Sequence, residues 1–126
     1  MMYFIRISVI VLAAMCLAAC GGAGSSGAQT PGERLVAAME LIKEGKPKEL
    51  EAFVVRDDQA GVGMFAGVYS SGWAGEGGLA RVEIVSENID GDSATVAVKF
   101  HFANQTSEAM TYKLRREDDA WRLILP

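Results

Sequence analysis

Asp90-Gly91-Asp92-Ser93-Ala94-Thr95-Val96-Ala97-Val98-Lys99-Phe100-His101-Phe102 is the stretch that decides the fold. Its opening Asp-Gly suits a tight turn whose central residues need positive φ, the strongest short-range sign of a β-hairpin. After the turn, Ala94, Val96, Val98, Phe100 and Phe102 alternate with Thr95, Ala97, Lys99, His101 and Ala103. A period of two with one unbroken apolar face predicts a half-buried antiparallel strand. The same period extends outward from it. Upstream, Leu79 to Glu87 predicts a partner strand with Ala80, Val82 and Ile84 inward and Arg81 and Glu83 outward. Downstream, Asn104 to Ser107 turns the chain, and Met110, Tyr112 and Leu114 then alternate with Thr111, Lys113 and Arg115. Glu117-Asp118-Asp119-Ala120 turns it again, before Trp121, Leu123 and Leu125 alternate with Arg122. The expectation is a curved four-stranded antiparallel meander whose apolar face requires a cover.

The cover comes from the segment before the strands. Thr30-Pro31-Gly32-Glu33 predicts a helix start: Thr as N-cap, Pro at the first helical position and Glu at N3 to complete a capping box. Leu35, Met39 and Ile42 form an apolar stripe widened by Val36 and Ala38, with Arg34, Glu40, Lys43 and Glu44 facing water. The helix should run to Lys43 or Glu44 and end at Gly45. Lys46-Pro47 restarts a short helix through Leu50 and Phe53. Further on, Val62, Phe65, Tyr69 and Trp73 fall on one helical face, with Asp57 or Asp58 as the expected cap. Gly61, Gly63 and Gly67 oppose that helix by roughly 1 kcal/mol each, so packing must hold it. Their spacing is not the dinucleotide-binding fingerprint, and no strand precedes it. Gly75-Glu76-Gly77-Gly78 reads as a loop that forms a mobile rim.

Helices first, a curved meander next, and the ending Glu117-Asp118-Asp119-Ala120-Trp121-Arg122-Leu123-Ile124 together resemble the nuclear-transport-factor-2-like superfamily. Within it the chain resembles small bacterial lipoprotein domains described as lumazine-binding-like, of unknown function. The resemblance implies an α+β cone in which the sheet wraps around the first long helix and leaves a pocket at one end. Enzymes of the superfamily place an acid or base and a hydroxyl donor in that pocket. The inward face predicted here holds Val96, Val98, Phe100, Phe102, Met110, Leu114, Trp121 and Leu123, with Tyr112 as its only polar tip and no carboxylate.

The N-terminus supplies an address. A short start with one charge, Arg6, leads into the uncharged run Ile7 to Met15, about half of the ~20 residues that span a bilayer, which reads as a secretory signal. Leu17-Ala18-Ala19-Cys20 then resembles the lipobox of bacterial lipoproteins, which implies signal removal over residues 1–19 and lipid on Cys20. An ordinary signal peptide with a chance Cys, or a Cys16/Cys20 metal pair, are the alternatives; the pair lacks the further ligands a tetrahedral site requires. Two or three acyl chains, as the resemblance implies, hold firmly where one holds weakly. Under the lipoprotein sorting rule of enteric bacteria, Gly21 rather than Asp after the Cys implies the outer membrane, facing the periplasm, with the inner membrane as the alternative in other lineages. Residues 20–29, rich in Gly and Ser, form a linker that keeps the domain at 30–126 within ~15 to 20 Å of such an anchor.

Removing Arg6 and no acidic residue shifts the formal net charge from −4 to −5, which argues against nucleic acid and against a polybasic membrane patch. No catalytic residue, metal site or cofactor motif is expected. His101 lies between Phe100 and Phe102 and so faces the polar side, without the orienting partner and pocket that general-base work requires. Asp57-Asp58 and Asp118-Asp119 have too few companions to hold Ca2+ and read as solvated turns. Ser70 and Ser71 read as helix-end residues, and the Asn104-Gln105-Thr106 sequon means little in the bacterial host that the lipobox resemblance implies. The candidate pocket residues are Phe65, Tyr69, Trp73, Phe100, Tyr112 and Trp121. Aromatic walls with few polar tips suit a small apolar or planar ligand. The favoured reading is a non-catalytic envelope lipoprotein binding a partner protein or a small hydrophobic ligand; a small isomerase or dehydratase, and a spacer with a filled core, are the alternatives.

Overall fold

The computed structural model describes residues 29–126. The signal segment, Cys20 and the linker up to residue 28 lie outside the described residues. The fold follows the expected order: α1 (Pro31–Glu44), α2 (Pro47–Leu50), 3-10 turns at Glu51–Phe53 and Arg56–Gly61, α3 (Val62–Gly75), then β1 (Leu79–Asp90), β2 (Ser93–Phe102), β3 (Ser107–Glu117) and β4 (Ala120–Ile124). The strands form one antiparallel sheet in the order β1-β2-β3-β4.

Both ends of α1 are set locally. The Thr30 hydroxyl accepts from the Glu33 amide at 3.1 Å, and the Glu33 carboxylate accepts from the Thr30 amide at 3.0 Å. Gly45, at φ 73°, closes the far end, its amide donating to Ile42 O and the Lys46 amide to Leu41 O. Between them Leu35, Ala38, Met39 and Ile42 are buried against the concave face of the sheet. Each large side chain there contributes roughly 1.5 to 3 kcal/mol, so the stripe, more than helix propensity, fixes α1 in place.

Arg34 does not face water as expected. Its Nε donates to Trp121 O at 3.0 Å, its Nη2 donates to Ala52 O at 3.2 Å, and its guanidinium lies 3.9 Å from the centre of the Phe53 ring. The planar guanidinium can serve two carbonyls and a ring at once, which joins α1 to β4 and to the turn after α2. The helix cap at Asp57 or Asp58 is also corrected. Gly61 caps α3 without a side-chain bond, while Asp58 Oδ2 accepts from the Leu125 amide at 3.0 Å. Nearby, Val54 bridges Leu123 and the Val55 amide donates to Leu123 O, so the chain itself covers the outer edge of β4.

α3 forms in spite of its glycines. Gly61 precedes it, but Gly63, Gly67 and Gly72 lie within it and Gly75 ends it. Three internal glycines cost about 3 kcal/mol relative to Ala, and burial of Val62, Phe65, Ala66 and Trp73 on the inner face offsets that.

β1 departs furthest from simple alternation. Register shifts fall between Leu79 and Arg81 and between Ile84 and Ser86. Leu79, Val82, Ile84, Glu87 and Ile89 therefore stand opposite the inward residues Phe102, Phe100, Val98, Val96 and Ala94. The inward assignment of Ala80 is wrong: the first irregularity displaces it and leaves it exposed, while Leu79 takes the buried place. The second irregularity turns a carboxylate, Glu87, to the inner side, where none was expected. Its Oε1 accepts from the Gly32 amide at 2.9 Å, so a strand residue satisfies one of the free donors at the start of α1.

Candidate functional site

At the end of the cone where β2 finishes and β3 begins, a cavity of about 520 Å3 opens between α3 and the sheet. Val68, Tyr69, Gly72, Trp73 and Glu76 line it from the helix side, and Phe102, Thr106, Ser107, Glu108 and Met110 from the strand side. The size lies within the ~300 to 1,000 Å3 of small-molecule sites. The spacing of Val68, Gly72 and Glu76 places all three along one face of α3 and its end. Gly72 keeps the wall low, since a Cβ added there would meet nothing within 4 Å. Met64, one turn before Val68, is 78% exposed and Val68 itself 62% exposed, so an apolar strip runs along the outside of α3 into the mouth.

The floor is a connected set of rings. Tyr69 lies 4.3 Å from Phe65, 5.8 Å from Trp73 in an edge-on arrangement, and 6.5 Å from both Phe100 and Tyr112. Trp73 meets Phe100 edge-on at 5.6 Å. Such offset and edge-on contacts add to simple burial and hold the rings in fixed positions. The Tyr112 hydroxyl donates to the Tyr69 hydroxyl at 2.8 Å. Tyr112 is buried and has no other hydroxyl partner among the described residues, so leaving its own proton unpaired would carry the cost of a buried unsatisfied donor. The direction is thereby set, and the half-buried Tyr69 keeps its proton for solvent or a ligand. Burial, and then the bond to Tyr69, push the Tyr112 hydroxyl far above the ordinary phenol range. Loss of its proton near neutral pH is thereby disfavoured.

The rim is held from two distant turns. The Asn104 Nδ2 and Thr106 hydroxyl donate to Glu76 Oε1 at 2.9 and 3.0 Å. These two bonds hold the Glu76 carboxyl below its usual range. Gly77 and Gly78, at φ 87° and 101°, let the chain reverse after Glu76, and the Ala103 amide donates to Gly78 O while the Asn104 amide donates to Glu76 O. L-residues rarely adopt such angles, so both glycines are required where they stand. The loop from Gly75 to Gly78 is thus bonded to the β2–β3 turn at four points, which differs from the mobile rim expected of it.

Of the six candidate pocket residues, Tyr69 and Trp73 line the cavity. Phe65, Phe100 and Tyr112 form the packed layer beneath, and Trp121 lies at the opposite end of the sheet, under the guanidinium of Arg116 at 4.6 Å. Two carboxylates, Glu76 and Glu108, line the cavity where none was expected; Glu76 follows the end of α3, where periodicity carries no information, whereas Glu108 continues the inward alternation of Met110, Tyr112 and Leu114 by one step and pairs with Phe100. His101 faces the outer side as predicted, bonds Glu83 Oε1 at 2.8 Å and does not line the cavity, although its neighbour Phe102 does.

Comparison with known proteins bears on the architecture. A protein from Campylobacter jejuni, provisionally described as an NTF2-like transpeptidase, superposes with a TM-score of 0.68 at 16% identity, over 78% of this chain and all of that one. The fold is NTF2-like. A de novo designed NTF2 fold protein is also similar, with a TM-score of 0.49 at 15% identity, over 70% of this chain and 76% of that one. No protein-family model matches the chain, and no curated protein matches it. At this level of identity the NTF2-like likeness speaks for the fold alone.

Proposed function

We propose that this chain is an envelope lipoprotein, held to the outer membrane through lipid on Cys20, whose NTF2-like domain binds a small, largely apolar ligand without transforming it. The observation that carries the binding reading is the 520 Å3 cavity, walled by Val68, Trp73, Phe102 and Met110 and open at the mouth. A spacer with a filled core has no use for such a space. Catalysis of the isomerase or dehydratase type needs a carboxylate free to exchange a proton within reach of the substrate. Glu76 is instead committed to Asn104 and Thr106, Tyr112 is closed off by burial, and Glu108 stands exposed at the mouth with no side-chain partner among the described residues to orient it as a general base. Among the described residues no helix is long and apolar enough to cross a membrane, so attachment rests on the lipobox resemblance.

The binding reading is tested with N-phenyl-1-naphthylamine, a neutral apolar probe whose fluorescence rises on leaving water. Wild-type protein should enhance it, and Gly72→Phe, which places a ring in the mouth, should abolish the enhancement while the domain remains folded. Undiminished enhancement in Gly72→Phe places the probe elsewhere and removes the reading. The anchor is tested separately: Cys20→Ala should abolish palmitate labelling, and retained labelling removes the lipoprotein assignment.

A further inference from the structure

We propose that the ligand of this cavity carries a protonated amine or quaternary ammonium group on an apolar body, a step that rests on reading the cavity as a ligand site. The lining contains two charged residues, Glu76 and Glu108, both negative, and no Lys, Arg or His. The donors that orient Glu76, the Asn104 amide and the Thr106 hydroxyl, are neutral, so its charge is directed without being cancelled. Its lowered pKa keeps that charge in place at neutral pH. An anionic ligand would meet two like charges at the mouth, whereas a cation gains from both carboxylates and from the rings of Tyr69 and Trp73, whose faces carry negative potential.

A metal ion is the poorer occupant. Among the described residues no three His, Cys, Asp or Glu side chains come close enough to hold one. The hard divalent cations take six or more oxygen ligands, while an organic ammonium group needs no coordination sphere and suits the apolar surface of Val68, Phe102 and Met110. The cavity therefore has an apolar body site and a negative mouth, and its ligand should be arranged in the same way.

Calorimetric titration of the full chain with 4-phenylbutylammonium, neutral 4-phenylbutanol and anionic 5-phenylpentanoate tests this. The ammonium compound should bind about tenfold more tightly than the alcohol, the gain that partly exposed carboxylates and a cation–π contact deliver together, and the carboxylate should bind most weakly. High salt should narrow the gap. Glu76→Gln/Glu108→Gln should bring the ammonium compound to the level of the alcohol. Glu108→Gln alone, which leaves the Asn104 and Thr106 bonds intact, should remove part of the preference even where the double variant folds poorly. Equal affinity for ammonium and alcohol, or a preference that survives in both variants, overturns the charge assignment. Binding of the alcohol under those conditions leaves the cavity reading standing; binding of none of the three removes both.

Discussion

Replacing Gly67 with alanine should raise the melting temperature. Gly67 lies in the interior of α3, five residues past its first, on the exposed side, and a Cβ added there meets nothing within 4 Å. Its φ is not in the left-handed region, so alanine fits without strain. Alanine at such a position gains through helix propensity and through a less disordered unfolded chain, together about 0.4 to 1 kcal/mol. For a domain of this size 1 kcal/mol corresponds to about 4 to 8 °C, so the expected rise is about 2 to 8 °C, read by circular dichroism. Gly63, also exposed with open space around it, should add a similar increment in the double variant. Gly45→Ala is the opposing control: at φ 73° the new Cβ is strained and the helix end suffers, lowering stability by about 1 kcal/mol. A fall in melting temperature for Gly67→Ala would refute the reasoning, because it would mean that the outer face of α3 is not open in the folded protein.

The two tyrosines should respond unequally: Tyr69→Phe strands the buried hydroxyl of Tyr112 and costs about 1 to 3 kcal/mol, while Tyr112→Phe leaves Tyr69 open to solvent and costs about 0.5 to 1.5 kcal/mol, both read by urea denaturation. An alkaline titration followed by tyrosine absorbance should show Tyr112 failing to ionise until the domain unfolds. In acid, stability should decline. Glu76 is held down by Asn104 and Thr106, Glu83 by His101, and Glu117 by Arg115 and the Arg56 amide. Each contributes stability that is present above the ordinary carboxylate pKa of about 4.3 and is lost as the pH falls through its lower folded value. Glu117→Gln should flatten that decline, measured as the denaturation midpoint against pH.

The parts of the fold that repeat were legible in the sequence, and the parts that depend on a single departure were not. Thr30 to Glu33 and Gly45 spelled out both ends of α1 because helix caps are local chemistry. Ala94 to Phe102 declared its face because every second residue agreed. β1 misled because two irregularities in the register, at Ala80 and around Val85, break a pattern that alternation alone would continue. The floor of the site was readable from the helical spacing of Phe65, Tyr69 and Trp73. Most of its rim was not, since Glu76, Asn104 and Thr106 come from two turns about thirty residues apart that only the folded sheet brings together, although the alternation of β3 already pointed Glu108 inward. The Gly77-Gly78 pair was the one available signal, marking a forced reversal after Glu76.

The bond between Glu87 and the Gly32 amide also places the start of α1 relative to the cavity. Glu87 pairs with Val96, six residues along β2 from Phe102 at the cavity, a path of about 20 Å along the strand. The first described turn of the chain is therefore fastened at the end remote from the mouth. The start of α1 and the mouth of the cavity thus stand at opposite ends of the domain, and a ligand entering the cavity does not pass Thr30.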